Sequence, residues 1–349
     1  MSFTFKRIEP GSLVLVTGAT GLIGSSVAVL LLDSGYKVRA ATRSVEKQKP
    51  FQQMLESNYG KDAIEFVGVK DYTDPAAWDE ILKDVQGVIH LASDLSFSPK
   101  YEEVVPTVEA LTKTFINATS KASSVKSVVL TSSRIAAYDP VFGQDLNVTV
   151  NDWADYHIDN AKAIKQDDPM APIAIYAASK VVGEHMAWDF VKHNRPHFAF
   201  NTVLPEFVAG PVANPTPGMY STHTFLNDLF LGKSDGPAVA FMRPAGRFVD
   251  VRDVAAVHVA GLLETHLDGQ RLWASAHKHT IDDILAAWRE AFPDRKILPD
   301  FKFPNQPDIN VDDEQSTALL KAFTGGIGTL SRRQSSPTCK ACFSSSERI

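Results

Sequence analysis

Tyr176 and Lys180 stand four residues apart, a spacing that places two side chains on one face of a helix, one turn apart. A tyrosine hydroxyl in water has a pKa of about 10, so it exchanges protons near neutral pH only if a nearby cation stabilises the phenolate. The ammonium group of Lys180 is such a cation. The pair therefore predicts a general acid that can protonate an oxygen of a substrate.

A serine hydroxyl near this pair could hydrogen-bond the same substrate oxygen and orient it. Ser132 and Ser133 follow a predicted strand over residues 125–130, and either is suitable by position. A tyrosine and a lysine at this spacing also occur on ordinary solvent-exposed helices. The catalytic interpretation is strengthened by a nucleotide-binding motif at the start of the chain.

That motif begins with an apolar run, residues 13–16, which we predict to be a strand buried on both faces. Three glycines follow, Gly18, Gly21 and Gly24, and a helix then continues to about Gly35. The first glycine permits a tight turn, the second lets the backbone approach a pyrophosphate, and the third lets the helix pack on the strand. The free N–H groups at the N-terminus of the helix favour phosphates. The stretch predicts a dinucleotide site.

Strands and helices alternate through the first part of the chain, which predicts a doubly wound parallel sheet of the α/β class with right-handed crossovers. The strands are predicted over residues 13–16, 36–43, 64–69, 85–92 and 125–130, and the helices between them include 47–58 and 101–121. In such sheets ligands bind beyond the carboxyl ends of the strands. The residues predicted at those ends are Gly18, Arg43, Asp71, Ala92 and Ser133.

The second part of the chain is less regular. A polar and aromatic excursion over residues 139–172 precedes the helix that carries Tyr176, and a sixth strand is predicted over 197–204. The further elements that we predict are a helix around 223–231, a strand leading into a helix over 247–255, and outer helices over 280–292 and 312–323.

The end of the second strand indicates which nicotinamide cofactor fits. An acidic residue there would bind the ribose hydroxyls of the adenosine and repel a 2′-phosphate. Here Arg43 stands at the strand end, with Lys47 close behind it and no acid before Glu46. A guanidinium pairs with a phosphate through two hydrogen bonds, so the sequence favours NADP over NAD. The alternative is a solvated arginine at a strand end.

Four motifs together resemble the extended short-chain dehydrogenase/reductase family, which includes NAD-dependent epimerases and dehydratases. They are residues 17–24, residues 130–133, the Tyr176 and Lys180 pair, and Leu204 with Pro205. Within that family, the chain is similar to fungal NADPH-dependent aldehyde and ketone reductases and to their dihydroflavonol reductase relatives, for which residues 90–93 are characteristic. The resemblance covers roughly residues 11–320.

The resemblance implies a Rossmann domain over residues 11–204, including the excursion. A smaller, mainly substrate-binding region follows over 205–324, and residues 247–262 return from it to the Rossmann core. Relatives continue with another amphipathic helix, whereas residues 325–349 are serine-rich and basic without a hydrophobic period, which predicts a disordered tail.

The resemblance also implies roles for individual residues. Tyr176 is the proton donor, Lys180 also bonds the nicotinamide ribose, and Ser133 is the serine that orients the substrate. The implied NADP contacts, from pyrophosphate to nicotinamide, are Gly18, Thr20, Gly21, Leu22, Ile23, Gly24, Arg43, Lys47, Asp71, Tyr72, Leu91, Ala92, Ser93, Thr131, Tyr176, Lys180, Pro205, Phe207 and Val208. The substrate pocket is expected to draw on Asp94, Phe97, Phe207 and Met242, although phenylalanines also fill ordinary cores.

The expected function is NADPH-dependent reduction of an aldehyde or ketone to an alcohol by hydride transfer, with Tyr176 protonating the oxygen. Three alternatives stay open. A nucleotide-sugar-modifying enzyme of this family usually keeps NAD bound, which Arg43 disfavours. An oxidative hydroxysteroid-type dehydrogenase uses the same triad. A non-catalytic NADP-sensing regulator typically loses the tyrosine and lysine pair, which is intact here.

Composition argues against several other classes of partner. The formal net charge of the 349 residues is -6 at pH 7, so bulk charge suggests no nucleic-acid partner. No apolar run approaches the roughly 20 residues of a membrane-spanning helix, and residues 1–10 show no secretory signal, so we expect a cytoplasmic protein without a membrane partner. Cys339 and Cys342 supply too few ligands for a zinc site, so we predict no metal. We expect a small-molecule carbonyl substrate and a monomer or homodimer.

Overall fold

A large parallel sheet flanked by helices organises the computed structural model, which describes residues 6–216, 222–235 and 237–324. The predicted tail at 325–349, with Cys339 and Cys342, lies outside these residues. The strands are β1 (Leu13–Thr17), β2 (Lys37–Thr42), β3 (Ile64–Gly68), β4 (Val85–His90), β5 (Ser127–Thr131), β6 (Leu146–Val148), β7 (Ala199–Pro205), β8 (Phe207–Ala209), β9 (Gly246–Asp250), β10 (Arg271–Ala274), β11 (His277–His279) and β12 (Ile309–Val311).

Helices connect most of these strands. They are α1 (Leu22–Asp33), α2 (Lys49–Tyr59), α3 (Pro75–Ile81), α4 (Tyr101–Lys121), α5 (Tyr156–Ala163), α6 (Ala171–Asn194), α7 (Thr222–Phe230), α8 (Pro237–Met242), α9 (Val251–Leu263), α10 (Ile281–Ala291) and α11 (Glu314–Thr324). Within the described ranges, no helix is both long enough and apolar enough to cross a membrane.

The main sheet has seven strands in the order β10-β7-β5-β4-β1-β2-β3, and every neighbouring pair is parallel. Parallel neighbours require a crossover between them, which the helices provide. The order steps outward in one direction from β1 to β3 and in the other from β4 to β10, which is the doubly wound arrangement. The predicted fold class is confirmed.

Burial of the first strand explains its unbroken apolar sequence. Val14 and Val16 pack with α1 and α9 in one core cluster, whereas Leu15, between them, packs with Phe115 of α4 in the other. All three of these strand residues have no exposed surface. Successive strand residues point to opposite faces, so a strand covered on both faces needs an apolar residue at every position.

Strand β10, at one edge of the main sheet, is not predicted from the sequence. It is only four residues long, and it begins with Arg271, a residue that does not suggest a buried strand. Arg271 is nevertheless buried, because its guanidinium pairs with the carboxylate of Glu184 on α6. A buried charge that is fully paired can lie where an apolar residue is expected, and periodicity alone does not reveal it.

The region after β7 both leaves the main sheet and returns to it. Strands β8, β9 and β11 form a separate three-stranded sheet, and Phe207, Leu226 and Trp288 contribute to an apolar cluster beside it. Helix α9 packs on the core with α1, while β9, which precedes it, belongs to the smaller sheet; β10 joins the main sheet as well. The excursion at 139–172 contains α5, and its strand β6 pairs with β12.

Candidate active site

Two glycines of the turn between β1 and α1, Gly18 and Gly24, leave no room for a larger residue. Gly18 has a positive φ of 63°. A Cβ on Gly24 would lie 2.2 Å from the carbonyl oxygen of Gly18, which is far inside any contact distance. Gly21 is the N-cap of α1, no side chain caps the helix, and no acid stands in its first turn. The backbone N–H groups and the dipole of α1 are therefore directed at an anion site.

The end of β2 presents positive charge that nothing in the described part of the chain neutralises. Arg43 is exposed, and no hydrogen bond or ion pair engages its guanidinium there. Lys47 is exposed as well. The nearest acid in the sequence, Glu46, pairs instead with Lys49, at 2.7 Å between the carboxylate oxygen and Nζ. Two cations thus remain available to a phosphate at this strand end.

Asp71 and Tyr72 follow β3 beside the same turn. Asp71 accepts hydrogen bonds from the hydroxyl and the backbone N–H of Thr73, and both lower the pKa of its carboxyl group. The Tyr72 hydroxyl is buried and has no hydrogen-bond partner among the described residues. Burial raises the pKa of Tyr72, while the backbone of Gly18 and the charge of Arg43 are close enough to lower it. An orphaned polar atom between the glycine turn and Arg43 fits a site for a dinucleotide.

The loop after β4 is fixed directly to the glycine turn. The hydroxyl oxygen of Thr17 accepts hydrogen bonds from the backbone N–H groups of Leu91 and Ala92, each at 3.1 Å. The same hydroxyl lies 2.7 Å from Nδ1 of His90, a residue whose pKa burial lowers to about 3. His90 is therefore neutral, and its Nδ1 shares a hydrogen bond with the Thr17 hydroxyl. Residues 91–93 are held against β1, where the resemblance places the ribose and the nicotinamide.

Helix α6 carries Tyr176 and Lys180 on one face, as predicted. The Nζ atom of Lys180 lies 5.9 Å from the centre of the Tyr176 ring. Burial raises the pKa of Tyr176, and the Ser133 hydroxyl and the charge of Arg134 partly offset that effect. Burial also lowers the pKa of Lys180 to about 8, although the Glu184 carboxylate opposes the shift. Tyr176 is thus protonated at neutral pH, with a cation one turn away.

The two candidate serines have different surroundings. Ser132 is buried, and its hydroxyl donates to Oε2 of Glu184 at 2.6 Å. Ser133 is partly exposed, and its hydroxyl is the one that hydrogen-bonds Tyr176 and so lowers the pKa of that residue. The structure therefore brings Ser133 to the tyrosine and turns Ser132 away from it.

Some implied cofactor residues have structural partners of their own. Nδ1 of His258 bonds the carbonyl oxygen of Val254, so Nε2 accepts the hydrogen bond from the Thr131 hydroxyl at 2.8 Å. That hydroxyl is directed at α9. Pro205 is buried at the end of β7, and Val208 belongs to the main core cluster.

Phe97 forms an aromatic wall beside Tyr176, with ring centres 5.2 Å apart. Its φ of 50° is rare for a bulky residue and carries a cost in strain. Phe207 and Met242 are buried and line a neighbouring pocket. Asp94 stands in the same loop as Phe97, and its carboxylate accepts a hydrogen bond from the backbone N–H of Ser96.

Two residues at this site escaped the sequence analysis. Glu184 stands one turn beyond Lys180 on α6, and its carboxylate accepts hydrogen bonds from Ser132, Arg271 and, at 2.8 Å, Thr202. The spacing from Lys180 was a usable signal. Asn214 donates hydrogen bonds, both at 2.9 Å, to the carbonyl oxygen of Thr20 and to Oε1 of Gln48, and so ties the loop after β8 to the glycine turn. No spacing rule relates residues so far apart.

Comparisons with known proteins agree with this geometry. The model of the NAD dependent epimerase/dehydratase family matches residues 14–272. Aldehyde reductase 2 of Sporidiobolus salmonicolor is 35% identical over 316 residues, 90% of this chain and 91% of that protein. Ketoreductase adrE of Penicillium roqueforti is 34% identical over 326 residues, 92% of this chain and 93% of that protein.

A solved structure extends the similarity to the whole fold. The crystal structure of yeast methylglyoxal/isovaleraldehyde reductase Gre2 complexed with NADPH superposes with a TM-score of 0.78 at 27% identity, covering 97% of this chain and 100% of the yeast chain. The resemblance expected from the motifs is confirmed. The chain belongs to the NAD-dependent epimerase/dehydratase family, within the extended short-chain dehydrogenases/reductases.

Proposed function

We propose that this chain reduces aldehydes or ketones to alcohols with NADPH, and that Tyr176 donates the proton. At the coarser level the chain is an NADP-dependent oxidoreductase of carbonyl groups, as the reductases and ketoreductases similar to it indicate. The observation that carries the finer proposal is the placement of Tyr176 beside Ser133, with Lys180 one turn away on α6.

The residues present fit NADPH, which would supply the hydride when bound. The glycine turn and the uncapped N-terminus of α1 would hold the pyrophosphate, and Arg43 with Lys47 would hold the 2′-phosphate. Asp71 and Tyr72 would flank the adenine, and residues 91–93 would line the ribose and the nicotinamide. Lys180 would also bond the nicotinamide ribose. An epimerase that retains NAD is disfavoured by the unpaired charge of Arg43.

The protein's own residues supply the proton and the orientation. Ser133 would donate a hydrogen bond to the carbonyl oxygen of the substrate and hold it near the Tyr176 hydroxyl. Tyr176 would then transfer its proton to that oxygen as negative charge develops there. The phenolate left behind would be stabilised by the charge of Arg134, which lowers the pKa of Tyr176, and by the Lys180 ammonium, whose Nζ lies 5.9 Å from the ring centre.

The proposal is tested by following NADPH consumption with a panel of aldehydes, aliphatic ketones and aryl ketones. We expect turnover with several members of the panel and much slower turnover with NADH. Tight NADPH binding without turnover on any carbonyl compound would instead support the sensor function. Turnover only in the oxidative direction, with a hydroxysteroid and NADP, would support the dehydrogenase alternative.

The pH dependence of the reduction should depend on Lys180. Because burial lowers its pKa to about 8, the ammonium is present below that pH and is lost above it. We expect kcat to be level near neutrality and to fall above about pH 8. Arginine stays protonated throughout this range. Lys180→Arg should therefore have a lower kcat than the wild type, but that kcat should no longer fall above about pH 8. A wild-type kcat that stays level to pH 10 would contradict this role.

A further inference from the structure

One buried asparagine connects the smaller region of the molecule to two separate points of the Rossmann half. Asn214 lies in the loop that follows β8, residues 210–216, and is only 4% exposed. Its side-chain N–H groups donate to the carbonyl oxygen of Thr20 and to Oε1 of Gln48, both at 2.9 Å. Its Oδ1 accepts a hydrogen bond from the backbone N–H of Thr216, also at 2.9 Å. Both amide hydrogens and the amide oxygen thus have partners.

The two acceptors belong to different sides of the groove that NADPH would occupy. Because β1 and β2 are adjacent parallel strands, the glycine turn after β1 and Arg43 after β2 flank one groove, the NADPH groove. Thr20 belongs to the glycine turn, which would hold the pyrophosphate. Gln48 is the N-cap of α2 and directly follows Lys47, on the side that would hold the 2′-phosphate. The side chain of Asn214 joins these two sides.

Apolar packing fixes the start of the 210–216 loop, whereas polar contacts hold its far end. Val212 packs against the main core cluster. Beyond it, neither Ala213 nor Pro215 belongs to any apolar cluster of the described residues. In this part of the loop, hydrogen bonds from Asn214 rather than apolar burial hold the chain to the Rossmann half.

Hydrogen bonds of this kind open at a small cost. Thr20 and Gln48 are both partly exposed, so water can replace Asn214 as their partner when the loop moves away. A protein hydrogen bond that is exchanged for one to water changes an equilibrium by about tenfold or less. Two such bonds therefore favour the closed loop without preventing its opening.

We propose that Asn214 is a positioning residue that holds the 210–216 loop across the NADPH groove, so that the cofactor enters and leaves only after both of its hydrogen bonds have opened. The inference rests on the placement of NADPH in the proposed function. It goes beyond that function because it concerns the exchange of cofactor and not the reduction, for which Tyr176 donates the proton.

The test measures NADPH binding rates by stopped-flow fluorescence with the full-length wild type and Asn214→Ala. Association is followed on mixing with NADPH, and dissociation on displacing it with excess NADP. If both directions require the loop to open, loss of the two hydrogen bonds should raise both rate constants by about tenfold. Their ratio, the Kd, should change by less than about threefold, because Asn214→Ala leaves the glycine turn and Arg43 in place.

Gln48→Met tests the same contact from the other side and covers the case in which Asn214→Ala does not fold. Gln48 is partly exposed, and the change removes one of the two acceptors. We expect both rate constants to rise by about threefold. Gln52→Met is the matched control, because Gln52 stands one turn further along α2 and donates to Glu56 at 2.7 Å instead. It should bind and release NADPH at wild-type rates.

Either of two results would overturn the inference and leave the reductase function intact. A higher dissociation rate with an unchanged association rate would show that Asn214 stabilises only the bound cofactor. Wild-type rates in Gln48→Met, or in a folded Asn214→Ala, would show that the loop does not control exchange. Failure of the wild type to bind NADPH would instead contradict the cofactor site of the proposed function.

Discussion

Tyr176→Phe is expected to lower kcat for carbonyl reduction by between about 100-fold and 10,000-fold, the range that general acid catalysis contributes. The phenylalanine removes only the hydroxyl and retains the ring that packs 5.2 Å from Phe97. The pocket and the helix should therefore stay intact. The Kd for NADPH, measured by fluorescence titration, should change little, because the glycine turn and Arg43 are untouched.

A tyrosine of another helix provides the control for this change. Tyr59, at the end of α2, donates its hydroxyl to Asp33 on the exposed surface. Tyr59→Phe should retain wild-type kcat within experimental error. Turnover by Tyr176→Phe at a rate close to the wild type would contradict Tyr176 as the proton donor and would leave the coarser reductase function standing.

Arg43→Ala is expected to raise the KM for NADPH by between about 10-fold and 100-fold, because hydrogen bonds between charged groups are among the stronger ones in proteins. The KM for NADH should change by less than about twofold, since NADH has no 2′-phosphate for Arg43 to bind. The wild-type preference for NADPH should also weaken as salt is added, because the charge at Arg43 is exposed.

Lys37→Ala is the control for the loss of a positive charge on the same strand. Lys37 is exposed and begins β2, at the end opposite Arg43, so its removal should leave the ratio of the two KM values nearly unchanged. Equal increases in both KM values after Arg43→Ala would contradict the 2′-phosphate assignment. The unpaired guanidinium of Arg43 would then bind another ligand or contribute only to solubility.

The dinucleotide half of the site was predictable because its signals are local. The glycine spacing, the buried strand before it and the helix after it lie within a few residues of one another. Each of these three patterns restricts the backbone conformation of its own segment. A Cβ on Gly24 would collide with the Gly18 carbonyl oxygen at 2.2 Å, so the glycine pattern follows from sterics within a single turn. Arg43 was identified in the same way, by its place at the end of a strand.

The choice between the two serines depended on the fold. Residues next to each other in an extended chain point in opposite directions, so only one of Ser132 and Ser133 can face Tyr176. The Glu184 carboxylate, 52 residues away in sequence, takes the hydroxyl of Ser132. The resemblance favoured Ser133 by position, and the structure supplies a physical reason for it.

The missed strand β10 has a similar explanation. Its four residues are too short for a period of two to be recognised, and its arginine is neutralised by Glu184 on α6 rather than by a neighbour in sequence. Glu184 thus binds Arg271 at the sheet edge, accepts a hydrogen bond from Ser132 and raises the pKa of Lys180. The contacts with Arg271 and Ser132 join residues far apart in sequence, so no local pattern reveals them.

By itself, the sequence determined the fold class, the glycine turn between β1 and α1, the place of Arg43 at a strand end and the position of Tyr176 and Lys180 on one helix face, because each depends on spacings within one element or one turn. Only the tertiary structure decided which serine faces the tyrosine and which acid neutralises the buried Arg271. Both properties depend on Glu184, a residue distant in sequence whose carboxylate accepts hydrogen bonds from Ser132 and Arg271.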